Sequence, residues 1–179
     1  MPRELWDVYS FDRRRTGRTT HRGGDLAPDE FHLVVHICVF DRQGRMLIQK
    51  RDPQKRSWAG LWDLSAGGRA LMGESSQQAA ARELHEELGL EADFSNTRPV
   101  LTINFEKGFD DVFEIERELE PEELRLQAEE VTQARWATQG EVCALLENDG
   151  FVPYSPEFVR LLFDIHRYGA GLRRQEPDI

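Results

Sequence analysis

The sequence predicts an α/β fold: a mixed central sheet with helices on both faces, an α/β/α sandwich, carrying an added N-terminal β-hairpin. Three observations carry it. Residues 31–40 (FHLVVHICVF) are apolar and β-branched with little polar alternation, as in a strand covered on both faces. Residues 76–88 (SQQAAARELHEEL) lie between Ser75, with Gln78 three residues on as a capping box, and the helix-stopping Gly89. Two more helix starts, Thr138 and Ser155-Pro156, follow a series of short strand-like runs.

Taken in order, residues 4–10 alternate enough for a strand, and 17–21 return beside it with the basic stretch 12–15 at the bend. A turn at 41–44 leads the 31–40 strand into a partner at 46–50, a core hairpin. On the 76–88 helix, Ala81, Leu84 and Leu88 form the side that packs on the sheet while the glutamates face out. Residues 100–105 and 112–117 read as strands joined by a turn at 107–111, and 134–137 as a short strand. Thr138 caps a helix over residues 139–147, and Ser155-Pro156-Glu157 opens another with Phe158, Leu161, Leu162 and Ile165 on one stripe. The acidic stretch 116–130 is expected to be a solvated loop or short helix.

At 179 residues the chain has the size of one ordinary domain. Its 23 Lys and Arg against 33 Asp and Glu leave a net charge of −10, which disfavours nonspecific attraction to nucleic acid or to an anionic membrane. A small metal-bound substrate is compatible with that charge. Cys38 and Cys143 make no metal-spacing pattern, and Cys38, inside the apolar strand, reads as a core residue. With no run long enough to span a membrane and no apolar leader in MPRELWDVYS, the expected location is the cytoplasm.

Chemistry concentrates between Gly68 and Leu90. Glu83, Glu86 and Glu87 stand at i, i+3 and i+4, so on a helix their carboxylates share a narrow arc. Like charges that close repel, whereas a cluster of hard oxygen ligands suits a divalent cation such as Mg2+, bound together with substrate phosphates. The plainer alternative is a solvated face with Arg82 and Glu86 as an i,i+4 pair. The full spacing decides between them: Gly68, five residues, Glu74, seven residues, then Arg82-Glu83-Leu84-His85-Glu86-Glu87-Leu88-Gly89-Leu90. With roughly 7 % usage per residue type, its seven fixed identities match by chance on the order of once in ten million starting positions or more rarely. This run resembles, without a departure, the signature of the Nudix hydrolases.

The resemblance implies a Nudix fold over 31–170, a β-hairpin extension over 1–30 and a flexible tail over 171–179. It also implies hydrolysis of a nucleoside diphosphate linked to a further moiety, or of a related diphosphate, by attack of water on phosphorus. By the same likeness Glu83, Glu86 and Glu87 match metal ligands, the carbonyl of Gly67 or Gly68 a backbone ligand, and Arg82 the residue that orients a motif carboxylate. Arg82 and the three glutamates are thus the candidate catalytic residues, and Mg2+ or Mn2+ the expected cofactor. Glu74 matches a residue near the metal, or is an N-terminal acid favoured by the helix dipole. The general base is Glu83 or a later acid, with Glu129 and Glu130 as candidates.

The stretch Gln49-Lys50-Arg51 followed by Lys55-Arg56-Ser57-Trp58-Ala59-Gly60-Leu61-Trp62 resembles type I isopentenyl-diphosphate isomerases and their hydrolase-like relatives. The run HLVVH and the opening ELWDVY extend the likeness. In those isomerases positions like Arg51 and Lys55 bind the diphosphate, which suits a bidentate guanidinium and the point charge of an ammonium. Arg69 is a third candidate for substrate binding. The departures favour hydrolysis: isomerases place a catalytic cysteine just before the motif glycine and a metal-binding histidine just after it, where this chain has Gly67 and Arg69. His32 aligns with another isomerase ligand, although a histidine on a buried strand is more often a satisfied core residue. The alternatives are an isopentenyl-diphosphate isomerase-like enzyme, against which those departures count, and a non-catalytic nucleotide-binding module; such modules often lose motif carboxylates that this chain keeps. The expected partner is a small-molecule diphosphate, with no nucleic acid and no membrane, and the N-terminal hairpin is the candidate surface for a homodimer.

Overall fold

A computed structural model describes residues 4–169; the tail expected at 171–179 lies outside them. Its elements are β1 (Leu5–Tyr9), β2 (Arg15–His21), β3 (His32–Phe40), β4 (Met46–Arg51), β5 (Trp62–Asp63), β6 (Ala66–Arg69), α1 (Ser76–Leu88), β7 (Leu101–Phe105), β8 (Gly108–Glu116), β9 (Val131–Ala137), α2 (Gln139–Glu147) and α3 (Pro156–Tyr168). The acidic stretch after β8 holds only a 3-10 turn, Pro121–Glu123. β1 and β2 pair as the expected hairpin, and the other strands form one sheet with hydrogen-bonded order β5-β4-β3-β8-β7, β6 on β3 and β9 on β4. The sheet is mixed. β3 and β8 run the same way, His32 donating its N–H to the Lys107 carbonyl and Arg117 its own to Phe40, while β3–β6, β4–β5, β4–β9 and β7–β8 are antiparallel. No helix among the described residues is long and apolar enough to cross a membrane.

The chain divides into two compact units, residues 4–37 with 66–113 and residues 38–65 with 114–169. In the first, β3 pairs with β6 from Val34↔Arg69 to Ile37↔Ala66, and α1 packs on β6. The helix has the predicted ends. Ser75 accepts the Gln78 N–H, the Gln78 side chain accepts that of Ser75, and Gly89 closes the last turn at φ 68°, a left-handed conformation that glycine adopts without a Cβ clash. Its inner face differs from expectation: Ala79, Ala80, Leu84, Leu88 and Glu87 are buried, Ala81 is half-buried, and of the three glutamates only Glu86 is exposed. The glutamates do not all face out because Gly67 and Gly68 leave β6 bare of side chains opposite the helix, and carboxylates occupy the room. Phe94 and Phe113, edge to face at 5.3 Å, complete this apolar core.

The turn expected at 107–111 is shorter, since β8 already starts at Gly108. Asp110 and Asp111, turn formers by composition, are tolerated in the strand because each is bonded. Asp110 pairs with His36 Nδ1 at 2.8 Å, and Asp111 accepts from Arg13 Nη2 and Thr102 Oγ1, both at 2.7 Å.

In the second unit, β4 is paired with β9 from Met46↔Ala137 to Arg51↔Val131, and β9 starts three residues before the expected strand. The β3–β4 register joins Phe40 to Met46 across a turn in which Asp41 accepts the backbone N–H and the Nε of Arg45. α2 opens with a capping box of Thr138 and Glu141, and packs on α3. On α3 the buried stripe is Val159, Leu162, Phe163 and Ile165, while Leu161 is 41 % exposed, against expectation. Phe40 sets this rotation, meeting Phe163 edge-on at 5.3 Å and His166 face to face at 4.1 Å.

Candidate active site

The motif residues assemble within the first unit, where α1 lies over the glycines of β6. Both glycines are required by close approach. A Cβ on Gly67 would stand 2.8 Å from the Val35 carbonyl and 2.6 Å from His36 Cδ2, and one on Gly68 would collide with the Glu83 carboxylate. Glu87 turns into this gap, almost wholly buried, and accepts the Gly67 N–H at 3.1 Å.

Arg82 organises the other carboxylates. It donates from Nε to Glu74 Oε1 at 2.8 Å and from Nη2 to Glu74 Oε2 at 3.0 Å, a bidentate pairing. Its Nη1 is shared at 2.9 Å by Glu83 Oε1 and Glu86 Oε2, and Nη2 also reaches the Arg69 carbonyl at 3.0 Å. Glu74 further accepts the Leu71 N–H, which anchors the loop before α1. Three carboxylates, Glu74, Glu83 and Glu86, thus share one guanidinium.

The pKa directions follow from that imbalance. Burial opposes the charged form of Arg82, but hydrogen bonds and charge from Glu74, Glu83 and Glu86 outweigh it and hold the guanidinium above its ordinary value. Burial alone would lift Glu74; the Arg82 and Leu71 donors overcome it and hold Glu74 below the usual carboxylate range. For Glu83 burial prevails over Arg82, with Glu86 and Glu4 adding repulsion, so its pKa lies above the ordinary value.

Of the residues singled out in the sequence, Arg82, Glu83, Glu86, Glu87 and Gly67 are therefore brought together, and Arg69 joins them through its carbonyl. The Arg69 guanidinium instead lies over the Trp6 ring, 4.4 Å from its centroid. Arg51 and Lys55 belong to the second unit, each with its own carboxylate: Arg51 Nη1 donates to Asp63 Oδ2 at 2.8 Å, and Lys55 is paired with Glu130. Glu129 is exposed. His32 is buried on β3 as expected, and its ring nitrogens make no hydrogen bond of good geometry among the described residues, the Lys107 backbone being the polar group that acts on the ring.

Sequence reasoning missed the His36–Asp110 pair, whose imidazole packs against Gly67, and Tyr154, whose hydroxyl donates to Asp63 at 2.9 Å. The signal available for the first was charge inside apolar runs, HICVF and FDDVF. Three helix carboxylates and a backbone carbonyl are the hard oxygen donors that fit a divalent cation. Among the described residues no three His, Cys, Asp or Glu side chains stand in metal-holding geometry; the positive charge shared by Glu83 and Glu86 is that of Arg82.

Comparison with known proteins places this geometry in context. The NUDIX domain family matches residues 30–162. An uncharacterised Nudix hydrolase of Listeria monocytogenes is 48 % identical over 162 residues, 90 % of this chain and 95 % of its own. An isopentenyl-diphosphate Delta-isomerase of Leifsonia xyli is 34 % identical over 113 residues, 59 % of this chain and 61 % of its own. Among solved structures, that of DR0079 from Deinococcus radiodurans aligns with a TM-score of 0.73 at 21 % identity, covering 88 % of this chain and 98 % of that one, a likeness of fold.

Proposed function

We propose, from the premise that this chain belongs to the Nudix hydrolase family, whose members act on pyrophosphate-containing substrates, that it cleaves the phosphoanhydride of a nucleoside diphosphate-linked or related organic diphosphate. The observation that carries this reading is the cluster on α1 and the loop before it: three carboxylates on one guanidinium, two of them converging on one of its nitrogens, with Glu87 beside them on Gly67. Glu83, Glu86, Glu87 and the Gly67 carbonyl would hold Mg2+ or Mn2+. When bound, such a cation neutralises charge developing on the diphosphate oxygens and lowers the pKa of a coordinated water.

The chain's own residues do the rest. Arg82 holds Glu83 and Glu86, and the Gly67 N–H holds Glu87, so binding a cation would turn these carboxylates from their present donors toward the ion. Glu83 is the proton acceptor this reading favours, since it stands in the cluster itself, bonded to Arg82. Glu130 is engaged by Lys55, and Glu129 stands in solvent. Arg51 and Lys55 serve this reading as diphosphate-binding cations only if an oxyanion displaces Asp63 and Glu130 from them.

Isomerase chemistry is disfavoured sterically as well as by residue identity. Any side chain at position 67 would press on the Val35 carbonyl and the His36 ring, so the acid that isomerases carry there has no room. The test is phosphate release from a panel of nucleoside and prenyl diphosphates with Mg2+ or Mn2+. Wild type is expected to turn over at least one class, and Glu86→Gln and Glu87→Gln to fall by about 100-fold or more while remaining folded. Undiminished hydrolysis by both variants, or ligand binding without hydrolysis across the panel, overturns the reading.

A further inference from the structure

Trp6 Nε1 and Arg69 Nε are buried without a hydrogen-bond partner among the described residues, and beside them the His32 ring nitrogens have none of good geometry, although the Lys107 backbone lies close enough to act on the ring. Trp6 is 5 % and His32 6 % exposed. Their rings stack at 5.9 Å, the Arg69 guanidinium covers Trp6 at 4.4 Å, and Phe105 meets His32 edge-on at 5.4 Å. Folded proteins bond nearly all their buried polar atoms, so unbonded nitrogens gathered in one place call for a partner, ordered water or a ligand group.

The chemistry of that group follows from the donors. Burial, and then the charge of Arg69, push the His32 pKa down to about 4, so at neutral pH its ring offers one N–H and one lone pair. The Trp6 indole and the Arg69 Nε–H add two donors beside it, next to a fixed positive charge. Arg22 adds to that positive field and Glu4 opposes it. An oxyanion satisfies such a set, and a singly protonated phosphate can also use the His32 lone pair.

The location ties the cluster to the motif. Arg69 follows Gly68, and its carbonyl is held by Arg82. Trp6 comes from the hairpin, outside the matched residues 30–162, and the hairpin is fastened to the loop entering α1: Met72 N–H donates to the Leu5 carbonyl and Gly73 N–H to Asp7 Oδ2, both at 2.8 Å. We propose that Trp6, His32 and Arg69 recognise an oxyanion, phosphate or carboxylate, carried by the substrate apart from its scissile phosphoanhydride, and that the N-terminal hairpin is thereby a specificity element. This assignment rests on the hydrolase reading above.

The test is a 15N NMR titration of the full chain, without divalent cation, with inorganic phosphate and separately with acetate. The Trp6 indole is assigned by its loss in Trp6→Phe, or through bonds if that variant does not fold. A saturable downfield shift of the Trp6 N–H with phosphate, acetate or both supports the site, and the stronger response identifies the oxyanion. Arg69→Gln is expected to weaken it at least about tenfold. A response no larger than that to sodium chloride overturns the assignment, as does a His32 ring that answers to Mg2+ or Zn2+ but to neither anion. Diphosphate hydrolysis with a silent Trp6 removes this site and leaves the hydrolase reading intact. Anion binding at Trp6 without hydrolysis of any diphosphate overturns that reading and, with it, the substrate assignment.

Discussion

The charged clusters of the two units are built on opposite plans. On α1 and the loop before it one guanidinium serves three carboxylates, Glu74, Glu83 and Glu86. On β4, β5 and the loop between them Arg51 is matched by Asp63 and Lys55 by Glu130, and Asp63 is further satisfied by the Tyr154 hydroxyl and the Leu64 N–H. A balanced pair makes no further electrostatic demand. An excess of carboxylates out of water does, and Glu83, held above its ordinary pKa, registers the cost. The difference separates a cluster in which carboxylates outnumber the guanidinium they share from two ion pairs matched one to one.

The sharpest way to break that contrast is to remove the cation from each cluster. Arg82→Met leaves Glu74 and Glu83 uncompensated and is expected to cost about 3–5 kcal/mol in urea unfolding, with part of the loss recovered under saturating Mg2+. Arg51→Met also destabilises, but its unfolding curve should be the same with and without Mg2+. Equal recovery of both variants would erase the distinction.

Somewhat smaller is the effect of the ion itself on the wild-type protein. At a Mg2+ concentration 100-fold above Kd, binding to the native state adds about 2.7 kcal/mol, and thermal unfolding with Mg2+ against EDTA measures it. Glu86→Gln and Glu87→Gln should each lose most of this gain.

Glu74→Gln sharpens the role of the bidentate arm. Because Arg82 and the Leu71 N–H hold the Glu74 pKa below its ordinary 4.5, its charge contributes stability above that pH and the contribution is lost as pH falls through the folded-state value. The variant should therefore be about 1.5–3 kcal/mol less stable at neutral pH and converge on wild type in acid, as followed by urea midpoints across the pH series. A gap that stays constant into acid would assign the loss to packing. The smallest expected change is Lys55→Ala, about 1 kcal/mol or less and indifferent to Mg2+, since Glu130 in that pair is 34 % exposed.

Much of this site was legible in the chain because it is local. Helix α1 begins and ends where Ser75, Gln78 and Gly89 place its caps, and the spacing of Glu83, Glu86 and Glu87 follows from helical geometry. Longer-range features were misjudged for a common reason. Asp110 and Asp111 read as turn formers until His36 and Arg13, distant in sequence, are seen to bond them inside β8. Ala81 and Leu161 read as buried because periodicity gives a stripe's spacing but leaves its angular position to whatever packs against it.

By itself, then, the amino-acid order determined the family signature, the motif helix and the residue types that can grip a cation, since these depend on neighbours within a turn or two. Tertiary structure alone decided that Glu83 and Glu87 turn inward, that Arg82 is shared among three carboxylates, and that Trp6, His32 and Arg69 meet with unbonded nitrogens. Burial and pairing belong to surfaces that exist only once β6 has met α1 and the N-terminal hairpin has closed on the loop before it, and no local spacing encodes which atoms those surfaces bring together.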